Sequence, residues 1–265
     1  MTRRIAALLA LGLIAAAPAP VVPGVAPAYA DLVALTLASP VIVRAVIARA
    51  DRLTGENAPG VAPGRARLLV RARLAAAILA PSAVPPEIEY LVEVPLDARG
   101  KLPKLKGAEV LLFVRPGGRP GQVVLVSGAA QIAASAAREA TVRGVLTEAR
   151  DATLPVVTGI AQAFHVPGAI PGEAESQFFV STAAARPVSL VVLSRPGQAK
   201  TLSLALGDVI DDAAATVKPN TLLWYRLACF LPRTLPERAD RENRAELAAD
   251  YAFVLASLGP CTRAF

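Results

Sequence analysis

Two short segments constrain the fold more than anything else in the chain. In residues 65–74, Arg65, Arg67, Leu69, Arg71 and Arg73 alternate with Ala66, Leu68, Val70, Ala72 and Leu74. In residues 87–94, Glu87, Glu89 and Glu93 alternate with Ile88, Tyr90, Val92 and Val94. A period of two with one charged face marks a strand in an antiparallel sheet, with one side on a core and the other in water. One charged face is basic and the other acidic, and opposite charges across neighbouring strands contribute about 0.2–1 kcal/mol per pair. The two segments are therefore expected to pair.

Strands are predicted around them at 41–50, 110–115 and 122–126, the last two joined by the turn formers of residues 116–121. Five short strands in about a hundred residues suit a small barrel or sandwich, and an OB-like barrel is the best match. Further strands are predicted at 140–146, 156–165, 176–182, 188–194 and 200–206. The tetrapeptide Arg-Pro-Gly-Gln recurs at 119–122 and 195–198, which common turn chemistry explains as well as duplication does. After Gly207 the period becomes helical. A helix is predicted over 221–231, capped by Asn220 or Thr221. Residues 234–237 read as a capping box, and Leu247, Tyr251, Val254, Leu255 and Leu258 line one helical face that Gly259 and Pro260 end. The expected class is mainly β: two small antiparallel modules plus a C-terminal helical element.

The beginning of the chain reads as an address. Arg3 and Arg4 precede a charge-free apolar run, residues 5–17, and Ala28-Tyr29-Ala30 forms a small-x-small cleavage site before Asp31. The run is shorter than the roughly 20 residues that span a bilayer, and Pro18, Pro20 and Pro23 interrupt any extension. A secretory leader removed after Ala30 is expected, with no transmembrane segment in what remains and a periplasmic or secreted location. The expected division is 1–30 leader, 31–137 basic β domain, 138–220 second β module and 221–265 C-terminal helices, with the small residues 129–137 as the boundary.

Composition sets the function classes. With 54% hydrophobic residues the chain is not disordered as a whole. Residues 31–137 carry 13 Lys+Arg against 8 Asp+Glu, a net of +5, while residues 138–265 carry 13 of each. The basic excess sits in the first domain, in Arg65, Arg67, Arg71 and Arg73 and in the segment holding Arg99, Lys101, Lys104 and Lys106. Such a surface suits an anionic glycan, lipopolysaccharide or an acidic protein. The plainer reading is that Glu87, Glu89 and Glu93 neutralise the arginines within the sheet. Nucleic acid is not expected, because base stacking needs exposed aromatics and Tyr90 and Phe113 read as inward-facing.

Catalytic signals are sparse. His165 is the single histidine, and it precedes Glu173 and Glu175. A hydrolase using that trio is the alternative to a non-catalytic binding or structural role. One histidine is too few for an ordinary zinc site. The chain has no Gly-x-Ser-x-Gly elbow, phosphate loop, dinucleotide fingerprint or EF-hand spacing. Asp208, Asp211 and Asp212, at helical spacing, read as acids at a helix start. No metal or cofactor is expected. Cys229 and Cys261 are the only cysteines, and an oxidising compartment favours a bridge between them. A bridge needs their Cα atoms within about 7 Å. That is feasible if the last helix begins near Asn243 after an extended return.

Overall fold

The computed structural model describes residues 25–184, 188–206, 217–237 and 243–265. The residues read as the leader's basic start and apolar run lie outside them, as do Asp208, Asp211 and Asp212. The architecture is mainly β, with two antiparallel sheets and helices between and beside them.

The first sheet holds β1 (Val41–Arg52), β2 (Arg65–Leu79), β3 (Glu87–Pro95), β4 (Glu109–Pro116), β5 (Val123–Leu125) and β6 (Gln131–Ala133). Its strand order is β3-β2-β1-β4-β5, with β6 also on β4. The far edges approach each other, because Glu89 bridges Gln122 in parallel and the Glu89 N–H donates to the Gly121 carbonyl at 2.8 Å. The result is nearly a closed barrel. Its interior is filled by the apolar alternates of each strand, among them Val43, Ala45 and Ile47, Leu68 and Val70, Ile88 and Tyr90, and Val110 and Leu112.

β4 is buried on both faces, and this is where the barrel meets the rest of the molecule. Leu111 and Phe113 point outward, and with Ile42 they pack under Leu32 and Leu35 of α1 (Tyr29–Ala38) and Val142 of α2 (Ala136–Glu148). Phe113 was expected inside the barrel; it is fully buried, but outside, beneath those helices.

Beyond the helical layer, β7 (Val157–Pro167), β8 (Ala174–Thr182), β9 (Val188–Ser194) and β10 (Thr201–Leu206) form a four-stranded meander in the order β10-β9-β8-β7. Its inner face, including Ile160, Phe178 and Leu190, packs on α3 (Leu222–Phe230), α4 (Arg244–Leu258) and Ala30 and Val33 of α1. Two links knit the helices together. Thr221 caps α3 by accepting the Trp224 N–H at 3.2 Å. Glu148, at the end of α2, accepts the Leu222 N–H at 2.6 Å, placing a carboxylate where the α3 dipole favours one.

One further expectation is corrected. Residues 140–146 are helical within α2, not a strand. The hydroxyl of Ser135 caps that helix by accepting the Arg138 N–H, and Val142 and Val145, three apart, are its buried residues. Within residues 129–137, β6 is hydrogen-bonded into the barrel and Ala130 is fully buried. Residues 29–38 form a helix for which the sequence reading held no expectation. The residues that follow the capping box read at 234–237 lie outside the described ones, and α4 begins at Arg244 after Asn243.

That late start lets the cysteines meet. Cys229 and Cys261 form a disulfide, with Cα atoms 5.1 Å apart. Gly259 ends α4 at φ 73°, a left-handed conformation that a side chain would strain. Among the described residues, no helix is long and apolar enough to cross a membrane.

Candidate functional site

The charged face of the barrel is built by the pairing of β2 with β3. Their register sets Arg67 opposite Glu93, Arg71 opposite Glu89 and Arg73 opposite Glu87. Glu93 holds Arg67 at 2.6 Å and Arg65 at 3.8 Å. Glu89 holds Arg71 at 3.1 Å and Arg119, from the β4–β5 turn, at 4.0 Å. Four arginines are thus shared between two carboxylates. Arg73 faces Glu87 in the register, but among the described residues it makes no ion pair within 4 Å.

The segment between β3 and β4 differs. Asp97 organises its turn by accepting the N–H groups of Arg99 and Lys101 at 2.8 Å each. Leu105 is buried, and the Gly107 N–H donates to the Ile47 carbonyl at 2.7 Å, fixing the segment to β1. Lys104 and Lys106 flank Leu105. Arg99, Lys101, Lys104 and Lys106 are exposed, and none makes an ion pair among the described residues. The result is four cations that make no ion pair among the described residues, with Asp97 the single acid of residues 97–106.

His165 lies on β7, opposite Ser176 of β8. Of the two glutamates following it in sequence, Glu175 lies opposite Val166, the next residue along β7. Glu175 pairs with Leu193 and, one residue from the inward Ser176, takes the outer face of the sheet. The Glu173 side chain covers Gly168. His165 instead joins a polar cluster on the inner face. Its Nδ1 is 2.8 Å from Ser176 Oγ, which donates to Asp250 Oδ2 at 2.6 Å. Lys200, just before β10, donates to the other oxygen of Asp250. A serine hydroxyl has one proton. With that proton on Asp250, Oγ accepts from His165, and Nδ1 carries the hydrogen. Asn243 donates to the His165 carbonyl at 3.3 Å.

This order does not match nucleophilic catalysis, in which the imidazole stands between serine and carboxylate and the serine faces substrate. Here the serine stands between the other two and is fully buried, and Asp250 is 2% exposed. The cluster brackets α4 onto the sheet. Asp250 had a readable signal: it is an acid on the apolar stripe, three residues after Leu247 and one before Tyr251. Ser176 and Lys200 had none beyond the alternation of β8. Trp224 and Tyr225 are buried, with the Trp224 indole N–H donating to the Leu258 carbonyl at 2.6 Å.

Among the described residues, no group of three or more His, Cys, Asp or Glu side chains is placed to hold a metal ion. Compared with known proteins, the chain matches no protein-family model and no curated protein.

Proposed function

We propose that this is an exported, non-catalytic binding protein of the cell envelope, whose partner is an anionic glycan or lipopolysaccharide engaged through the 97–106 segment. The carrying observation is the contrast between the two basic surfaces. The strand arginines share carboxylates within the sheet, whereas Arg99, Lys101, Lys104 and Lys106 stand exposed on an anchored loop without acidic partners. Unneutralised cations on a backbone held in place meet a polyanion with little ordering cost. The disulfide supports an oxidising compartment.

Retention on a sulfated glycan matrix tests this reading. The protein should bind at low ionic strength and elute below about 0.5 M salt, as screening requires. Replacing Lys101, Lys104 and Lys106 with alanine together should abolish retention, while Arg71→Ala, which also frees Glu89, should lower it only slightly. Equal retention of the triple variant and the parent would contradict the assignment to this loop.

A further inference from the structure

Two overlapping small-x-small triplets stand at the start of the first helix, Ala26-Pro27-Ala28 and Ala28-Tyr29-Ala30. Either satisfies the small-residue pattern of a leader cleavage site, and the two differ in the residue with which the released chain begins. The fold separates them. Tyr29 and Ala30 are the first two residues of α1. Ala30 is 1% exposed in the core beneath the second sheet, and the Tyr29 ring meets Trp224 edge-on at 6.0 Å. A cut after Ala30 strips both residues, opens a void beside Trp224 and removes the first carbonyls of the helix. A cut after Ala28 removes the exposed Val25 and Ala26, half-buried Pro27 and the N-cap Ala28, whose carbonyl accepts the Asp31 and Leu32 N–H groups, but it leaves the buried Ala30 and the Tyr29–Trp224 contact in place.

A second observation comes from Asp31. Its side chain sits in the first turn of α1 and the residue is 1% exposed. Oδ2 accepts the N–H groups of Ala28 and Ala264 at 2.8 Å each, while Oδ1 has no partner among the described residues. A buried carboxylate left partly unsatisfied is costly. Hydrolysis of the Ala28–Tyr29 amide takes up one water, leaves a carboxylate on Ala28 and creates an α-ammonium on Tyr29. That cation lies in the same helical turn as Asp31 and replaces a neutral N–H donor with a charged one. A cut after Ala30 would also bring an ammonium to Asp31, but only by giving up the packing of Tyr29 and Ala30.

We propose that a leader peptidase releases this chain between Ala28 and Tyr29, so that the first residue of the mature protein is also the first residue of α1. The proposal rests on the export reading above, and moves the cut two residues upstream of the Ala30 site. The full chain, expressed with its own leader, is recovered from the periplasmic fraction and its first residues and intact mass are determined. Tyrosine first is the expected result. Aspartate first, lighter by one tyrosine and one alanine residue, overturns the cut position while leaving export standing. An uncut chain confined to the cytoplasm defeats the export reading and the proposal with it. Ala26→Glu gives a second check, because it spoils the first triplet, spares the second and lies outside the released protein. It should eliminate the Tyr29 terminus; an unchanged yield of that terminus would overturn the proposal.

Discussion

Three tyrosines are raised above their ordinary value by burial. Burial pushes the Tyr90 phenol far above its ordinary value, and its hydroxyl donates to Gln131 at 2.6 Å. Tyr29 is raised by burial first and by the Glu148 carboxylate second. Tyr251 is raised by burial, which outweighs the opposing effect of Arg233, and it donates to the Pro232 carbonyl. In each case the folded state holds its proton more tightly than the unfolded chain. Stability is therefore complete below the ordinary tyrosine value near 10 and falls as pH rises above it. Phenolate absorbance should lag behind that of free tyrosine and then rise together with loss of structure. Three groups ionising reversibly near pH 10 in a chain that stays folded would contradict this. The Asp250 cluster gives a second expectation at this scale. Asp250→Ala strands the Ser176 hydroxyl and the Lys200 ammonium, and should cost about 2–4 kcal/mol in denaturant unfolding, since Lys200 retains access to water. Ser176→Ala should cost about 1–2 kcal/mol.

Elements differ in how much of themselves is written locally. β2 and β3 were legible together with their partnership, because alternation fixes the buried face and opposite charges fix the neighbour. β9 and α3 were legible for similar reasons: an apolar run between turns, and a capping threonine. The segment that became α2 was not. Thr141, Val142 and Val145 carry the β-branched signature of a strand, and α2 forms because Ser135 caps it and its narrow stripe fits between two sheets, a tertiary demand that no local window contains. The His165 cluster needed the β7–β8 register and the docking of α4 at once, so sequence order put His165 with Glu173 and Glu175, and the fold put it with Ser176 and Asp250. The disulfide is the element-scale feature with the clearest energetic consequence. It closes the return between α3 and the end of α4, and its reduction should lower stability by about 3–4 kcal/mol if the chain-entropy account holds. Unchanged thermal unfolding after complete reduction would contradict that role.

At the scale of the whole molecule, α1 and α2 form the layer on which both sheets depend. Leu32 and Leu35 face the barrel wall, while Ala30 and Val33 face the second sheet. Leu32→Ala should cost about 2–4 kcal/mol and should destabilise both sheets together, seen as coincident unfolding by probes in each; barrel-only loss would show that the two cores are independent. The 97–106 segment lies against the barrel, anchored through Gly107 and Leu105 rather than through its cations. Those cations are therefore available to a partner without disturbing the fold. Titrating the isotopically labelled protein with a sulfated oligosaccharide, and following its backbone amide resonances, tests this most directly. The account predicts salt-sensitive shifts concentrated in residues 97–107; shifts centred on the paired arginines of β2 and β3, or on His165 and its neighbours, would contradict it.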